Sequence, residues 1–151
     1  MDINLEAPAI ASSETYVNAP LSSVWAVHTD IRAWPEWNSE ITFVDLSGPL
    51  LPGTQFRWKS GGVWITSVLQ VVEPEQQIVW TGRAPLGIRA IHTWTFEPQG
   101  EATRVLTEES FEGLLVRIFK SLMRQMLARS LEKGITALKM ESERRVQGSS
   151  A

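Results

Sequence analysis

The sequence predicts an α+β domain in which a seven-stranded antiparallel sheet is covered by one long C-terminal helix, with two short helices after the first strand. Two patterns support this fold class. Segments of strand composition alternate with short turn signals up to residue 113, and one amphipathic pattern fills residues 113–146. Connections this short join antiparallel neighbours, and only the final helix is long enough to cover a face of the sheet.

The first third of the chain contains one strand and two short helical segments. Residues 14–20, ETYVNAP, have strand composition and end at a proline. Apolar residues and His28 then recur at spacings of three and four, which is typical of one face of a short helix, and His28 is expected to pack there or to cap the helix. Pro35 forbids a regular helix interior in the following IRAWPEWNSE, so a second short helix or a tight turn is expected.

Six further strands and the long helix complete the chain. The strand segments are ITFVDL, TQFRWK, VWITSVLQVV, QQIVWTGR, IRAIHTWTFE and TRVLTEESF, and the turns are SGPLLPG, SGG, EPEQ, APLG and PQGEA. The predicted buried face of the helix consists of Leu115, Phe119, Leu122, Met126, Leu127, Leu131, Ile135 and Leu138. A helix of this length would span roughly 50 Å, so a bend or break near its start is expected.

The overall composition narrows the class of protein. A chain of 151 residues matches one domain, with residues 1–12 and 147–151 expected to be flexible. The net charge is −3 and the basic residues are spread along the chain, which predicts no contact surface for nucleic acid or for an anionic membrane. No apolar run reaches about 18 residues and no basic segment opens the chain, so neither membrane insertion nor export is expected. The absence of cysteine fits a cytoplasmic protein.

Metal and cofactor chemistry are not expected. The chain has two histidines, and they do not stand at the spacing of metal ligands. It contains no glycine-rich loop leading into a helix, no nucleophile elbow of the G-x-S-x-G kind and no HExxH motif. The sequence therefore predicts neither a metal site nor a cofactor.

The order of elements resembles the START-related superfamily, often called SRPBCC, and within it the polyketide cyclase/dehydrase and lipid-transport group. The resemblance is carried by VNAPLSSVWAVHTD with WPEWN, by VVEPEQQIVWTG, by HTWTFEP with TRVLTEESFEG, and by LEKGITALKMESE. It implies a helix-grip fold, in which a strongly curved seven-stranded sheet wraps a long C-terminal helix and leaves an apolar cavity between them. The superfamily includes lipid carriers, hormone receptors, cyclases, oxygenase domains and cochaperones, so the resemblance predicts the fold more specifically than the activity.

The last two strands place a histidine opposite a carboxylate. If PQGEA closes a hairpin with Phe96 opposite Val105, then His92 faces Glu109 on the inner side of the sheet. In an apolar environment burial raises the pKa of a carboxyl and a nearby imidazolium lowers it, so the pair would hold or move a proton near neutral pH. The pair is open to three interpretations: mutual satisfaction in the core, anchoring of a ligand, or catalysis with Glu109 as base and His92 orienting it or donating a proton.

Seven tryptophans exceed what a core of this size normally contains. Three of them lie on the same predicted strand face as apolar neighbours, whereas the residues on both faces of the strand around Trp64 are apolar. The candidate ligand-binding residues are Trp58, Trp64, Trp80, Trp94, Phe96, Thr107, Phe111, Met123 and Met126. The alternative is that the aromatic residues simply fill the core.

Three functions remain compatible with these patterns. The leading hypothesis is a protein that binds a hydrophobic small molecule, either a lipid or an aromatic, polyketide-like compound. The second is a cyclase- or dehydratase-type enzyme that uses His92 and Glu109, and the third is a cochaperone-like interaction module, for which no exposed apolar stripe is evident. Arg83 and Arg89 flank the APLG turn, as solvated charges or as an anchor for an anionic ligand. Neither the ligand nor the oligomeric state follows from the sequence.

Overall fold

The computed structural model describes residues 1–149 and contains one antiparallel sheet of seven strands. The strands are β1 (Ala9–Val17), β2 (Ile41–Leu46), β3 (Gln55–Ser60), β4 (Val63–Glu73), β5 (Gln77–Ala84), β6 (Ile88–Gln99) and β7 (Ala102–Glu112). Their order in the sheet is β1-β7-β6-β5-β4-β3-β2, so β2 to β7 form a meander and β1 pairs beside β7. Register shifts in β2 and β4 mark bulges, which bend a strand and increase its twist.

The helices lie in two groups along the chain. They are α1 (Leu21–Thr29) and α2 (Trp34–Trp37) between β1 and β2, followed after β7 by α3 (Leu114–Ile118) and α4 (Lys120–Ser149). Pro35 occupies the first turn of α2, where its missing N–H leaves no helical hydrogen bond unmade. The α+β helix-grip fold predicted from the sequence is therefore confirmed.

The predicted long helix is interrupted near its start, as expected. Phe119 has φ −110° and ψ 42°, which ends α3 before α4 begins. The buried face of α4 follows a narrow row through Leu127, Leu131, Ile135 and Leu138. The prediction that Phe119, Leu122 and Met126 belong to this face is wrong. Met126 precedes Leu127 and therefore lies about 100° around the helix from that row, where nothing covers it.

The first strand begins earlier than predicted. β1 starts at Ala9 instead of Glu14, because the long neighbouring strand β7 offers pairing partners as far as Phe111. Preceding residues are also held in place, since the backbone N–H of Asn4 donates to Ser110 Oγ at 3.0 Å. Residues 9–12 of the segment that was expected to be flexible therefore belong to β1. At the other end residues 147–149 belong to α4, and residues 150–151 lie outside the described residues.

A cluster of large aromatic side chains fills the centre of the core. Trp34, Phe56, Trp58 and Trp80 pack with ring centroids 5.4 to 6.4 Å apart, mostly in edge-to-face geometry. Trp34 Nε1 donates to the carbonyl oxygen of His28 at 2.8 Å, which attaches α2 to the end of α1. The short helices thus cover the inner face of the sheet where α4 does not.

The turn before β6 is attached to the start of α3 by a close backbone approach. Gly113 has φ 131° and ψ 161°, a region that is essentially restricted to glycine. A Cβ built on Gly113 would lie 2.7 Å from the carbonyl oxygen of Gly87. The backbone conformation and the absence of a side chain at Gly113 together allow this contact.

We expect Gly113→Ala to lower the free energy of unfolding by about 1–3 kcal/mol, because it adds both a backbone strain and a clash. Gly100→Ala is the matched control, since Gly100 also has positive φ but nothing lies within 4 Å of its built Cβ. Urea unfolding of the two variants measures the difference. Equal losses would show that the close approach to Gly87 adds nothing to the backbone strain.

Candidate functional site

The pairing of β6 with β7 brings a histidine and a carboxylate together on the inner face. His92 lies opposite Glu109, as predicted, and the same register places Trp94 opposite Thr107. The side chains of His92 and Glu109 are 9% and 13% exposed, and His92 Nδ1 lies 3.5 Å from Glu109 Oε2. The predicted juxtaposition is confirmed, in a more buried setting than that of an ordinary surface pair.

Thr107 determines which nitrogen of His92 carries the hydrogen. Its Oγ1 donates to the carbonyl oxygen of Thr93 at 3.2 Å and lies 2.9 Å from His92 Nε2. Since the threonine hydrogen is used in the first bond, we infer that Nε2–H donates to the threonine oxygen. His92 Nδ1 is then an acceptor directed toward Glu109, and it has no hydrogen-bond partner among the described residues.

Burial sets the charge state of both groups. It lowers the pKa of His92 to about 3, with a smaller contribution from His28, and raises the pKa of Glu109 to about 8. At neutral pH the imidazole is therefore neutral and the carboxyl is mostly protonated. The expectation that an imidazolium would lower the pKa of the carboxyl is wrong, because the buried histidine carries no charge.

His28 belongs to the same cluster, although the sequence analysis assigned it a packing or capping role. Its ring centroid lies 4.5 Å from that of Trp94, and Trp94 lies 5.6 Å from His92. Burial lowers the pKa of His28 to about 3, so it too is neutral. The apolar spacing of α1 indicated that His28 faces the core, but nothing in the sequence indicated that α1 packs over β6.

Three buried nitrogens of this cluster have no hydrogen-bond partner within residues 1–149. They are His28 Nδ1, His92 Nδ1 and Trp94 Nε1. Buried polar atoms in folded proteins are nearly always paired, so three unpaired atoms on adjacent rings are unusual. Trp94 Nε1 is a donor and His92 Nδ1 an acceptor, so the cluster offers both kinds of hydrogen bond.

The predicted ligand-binding residues divide into three sets. Trp58, Trp80, Trp94, Phe96 and Thr107 are buried on the inner face, and Phe111 and Met123 are partly buried. The placement of Met126 is wrong, because it lies on the exposed side of α4. Trp64 is also misplaced. It is 37% exposed and lies on the outer face of the sheet, with the Arg57 guanidinium 4.0 Å from its ring centroid.

Arg83 and Arg89 lie directly opposite each other beside the Pro85–Gly87 turn. Both are exposed, and Arg89 Nη2 is 4.0 Å from Glu112 Oε1. This geometry agrees with the interpretation of the two arginines as solvated charges. Within residues 1–149 no group of three or more potential ligands could hold a metal ion. No helix in that range is long and apolar enough to cross a bilayer.

Comparison with known proteins agrees with this fold. Residues 8–143 match the family described as polyketide cyclase / dehydrase and lipid transport. The chain belongs to this family. No curated protein matches the sequence.

Solved structures of the same fold come from several bacteria. A hypothetical protein of Helicobacter pylori is 16% identical, with a TM-score of 0.82 over 91% of this chain and 90% of its own. A START superfamily protein of Mycobacterium smegmatis is 18% identical, with a TM-score of 0.74 over 89% and 97%. The Zhui aromatase/cyclase of a Streptomyces species is 19% identical, with a TM-score of 0.73 over 91% and 94%. At these identities the likeness establishes the fold alone.

In this member of the polyketide cyclase/dehydrase family two hollows lie away from the polar cluster. They have volumes of about 580 and 850 Å³, one beside the β4–β5 turn and one between α2 and α4, and neither is lined by His92 or Glu109. The groove between α2 and α4, which includes Trp37 and Met140, was not predicted, since its two walls are distant in sequence.

The raised pKa of Glu109 predicts a pH dependence of stability. Between its ordinary pKa of 4.5 and about 8 the unfolded chain binds fewer protons than the native protein, so Glu109 lowers stability as pH rises through this window. Glu109→Gln removes the titrating group. We expect the variant to gain stability over the wild type from pH 5 to pH 8, by up to a few kcal/mol at about 1.4 kcal/mol per unit of pKa shift.

Urea unfolding at several pH values between about 5 and about 9 tests this expectation. Glu108→Gln is the matched control, because Glu108 is the neighbouring carboxylate on the other face of β7. The difference in free energy of unfolding between Glu108→Gln and the wild type should not follow the pH dependence expected for Glu109→Gln. A flat difference for Glu109→Gln as well would show that Glu109 is ionised in the native protein.

Proposed function

We propose that this protein binds a hydrophobic small molecule on the inner face of its sheet and recognises one polar group of that molecule with the cluster around His92. The observation that supports the proposal is the set of three unpaired buried nitrogens on adjacent rings. Each unmade hydrogen bond costs about 1–3 kcal/mol in the folded protein. A ligand hydroxyl or carbonyl at the cluster would recover part of that free energy.

The donor and acceptor pattern restricts the polar group of the ligand. Trp94 Nε1 donates, His92 Nδ1 accepts, and the protonated Glu109 donates at neutral pH. A hydroxyl group satisfies a donor and an acceptor at once, whereas a charged group would enter a site that carries no opposite charge. The ligand is therefore neutral, with a hydroxyl or carbonyl attached to an apolar body.

The apolar body faces aromatic side chains. The ring centroid of Trp80, on the neighbouring strand, lies 4.8 Å from that of His92. Trp94 is the next inward-facing residue along β6. Flat aromatic surfaces favour edge-to-face or offset contacts with such rings. Membership of a family named for polyketide cyclases and lipid transport supports a polyketide-like aromatic compound or a lipid.

One end of the inner face offers access. Trp94 and Phe96 are sealed under α1, but the inward residues Ile88, Ala90 and Phe111, toward α3, are only partly buried. Ala90 is also small, so the strands there carry little bulk above the sheet. A ligand that enters from the α3 end reaches His92 before the sealed aromatic core.

Binding of a hydroxylated aromatic compound tests the proposal. We expect 2-naphthol to bind about tenfold more tightly than naphthalene, because one recovered hydrogen bond contributes about 0.5–1.5 kcal/mol. His92→Phe removes the acceptor and keeps the Trp94 and Glu109 donors, so its preference for 2-naphthol should be smaller than that of the wild type. Tryptophan fluorescence or calorimetry measures the affinities, and Trp64→Phe on the outer face is the matched control. Equal affinity of the wild type for the two compounds would contradict recognition by the cluster.

A second candidate function is a dehydration coupled to aromatisation. It is favoured by the protonation state of Glu109, which is an acid with a pKa of about 8 beside the neutral acceptor His92 Nδ1. Loss of water from a β-hydroxyketone needs a base for the α-hydrogen and an acid for the departing hydroxyl. These states support His92 as base and Glu109 as acid, the reverse of the roles expected from the sequence.

The enzymatic function is tested with 3-hydroxy-1-tetralone, which loses one water to give the keto form of 1-naphthol. The wild type should accelerate appearance of naphthol, and Glu109→Gln should reduce the rate by about 10²–10⁴-fold. The rate should fall as pH rises through about 8, as Glu109 loses its proton. Glu108→Gln is the control. A wild type that binds naphthol and leaves the ketone unchanged would restrict the protein to binding.

A further inference from the structure

An apolar row is exposed along α3 and the first turns of α4. Leu114, Ile118, Leu122 and Met126 stand four residues apart and are 75%, 64%, 53% and 53% exposed. Residues at this spacing share one side of a helix, although the break at Phe119 interrupts the row. Phe119 is itself exposed beside them. The sequence analysis placed Phe119, Leu122 and Met126 on the buried face of the helix, and for that reason found no exposed apolar stripe.

Basic residues accompany this row. Residues 114–131 contain Arg117, Lys120, Arg124 and Arg129, which are four of the 14 basic residues of the chain, and none of its 17 acidic residues. All four are exposed, and within residues 1–149 none of them forms an ion pair. A protein with a net charge of −3 therefore presents a locally cationic helix.

A turn of the sheet extends the same surface. Leu86, between β5 and β6, is 79% exposed and has φ 67°, a conformation that a leucine rarely adopts. The close approach of Gly113 to Gly87 attaches this turn to the start of α3. We use the term docking face for Leu86, Leu114, Ile118, Phe119, Leu122 and Met126 together with Arg117, Lys120 and Arg124.

We propose that the docking face binds the surface of an anionic lipid bilayer, with its apolar residues in the interface and its basic residues on the lipid headgroups. Helices that lie in a membrane surface combine exposed leucine, isoleucine and phenylalanine with arginine and lysine that form no ion pair. Arg124 Nε donates to the carbonyl oxygen of Pro8 at 3.1 Å, which leaves its charge without a carboxylate partner. The helix does not cross the bilayer, in keeping with the lack of a spanning helix in residues 1–149. The inference does not depend on the ligand proposed above.

Charge distinguishes a lipid surface from the other possible occupants. A second copy of this chain in a symmetric dimer would place the same basic residues against one another, which opposes association. Nucleic acid would match the charges and leave the apolar row without a partner. An anionic bilayer satisfies both features at once.

Co-sedimentation with vesicles tests the proposal. The full chain is mixed with vesicles of phosphatidylcholine alone, or with about 30% phosphatidylserine, at about 0.1 M and about 0.5 M NaCl. We expect binding to the phosphatidylserine vesicles at low salt, at least about tenfold weaker binding to phosphatidylcholine alone, and loss of the difference at high salt.

Two double variants separate the contributions. Ile118→Ser with Leu122→Ser should lower the partition coefficient on anionic vesicles by roughly tenfold or more, because both side chains are exposed and their loss leaves the core intact. Arg117→Glu with Arg124→Glu should abolish the preference for phosphatidylserine. Thermal unfolding followed by circular dichroism confirms that each variant is folded.

Matched controls lie on other surfaces. Met140→Ser removes an exposed apolar side chain farther along α4, and Arg57→Glu with Lys59→Glu makes the same change of charge on the outer face of the sheet. Both controls should bind vesicles as the wild type does. Failure of the wild type to sediment with anionic vesicles would overturn the proposal, as would equal losses in the controls. Self-association or capture of an acidic protein through the docking face, without vesicle binding, would assign the face to that partner instead.

Discussion

The register between β6 and β7 is the constraint on which the rest of the site depends. Side chains alternate between the two faces of a sheet, so a shift of one residue would move His92 and Trp94 to the outer face and expose them. The two-residue turn of Gly100 and Glu101, together with the apolar Phe96 and Val105 near the closed end of the hairpin, selects the observed pairing. The inward placement of His92, Trp94 and Glu109 follows from that choice.

Placing polar groups on this face has an energetic consequence for the whole domain. A domain of this size is stable by only about 5–15 kcal/mol, and the buried carboxyl and imidazoles oppose folding whenever they must ionise. The protein avoids ionisation by keeping Glu109 protonated and His92 neutral at neutral pH. Phenylalanine or leucine at these positions would pack without that constraint, so stability alone does not account for the polar cluster.

The sequence predicts correctly those features that depend on strict alternation of residues along a strand and on short turns. It does not predict the contacts between a helix and the sheet. The opposition of His92 and Glu109 followed from counting residues back from a turn. The orientation of Trp64 could not be predicted in this way, because the residues on both faces of its strand are apolar. Only the elements that pack against the sheet decide which face is buried. The prediction that Met126 is buried was wrong for a related reason. A helix that packs through one narrow row of side chains buries fewer residues than its hydrophobic pattern indicates. His28 joined the cluster through a helix-to-sheet contact that no local pattern encodes.

The polar cluster and the docking face lie in line along the same strands. Ile88, Ala90 and His92 point inward on alternate residues of β6, and β6 begins at the turn that carries Leu86. At about 3.3 Å per residue, His92 lies roughly 13 Å from the start of the strand. A molecule whose polar group pairs with His92 would therefore enter at the end of β6 that adjoins the docking face. A protein bound to a bilayer through that face would present the more open end of its interior to the lipid, so an apolar ligand would pass between the two with little exposure to water.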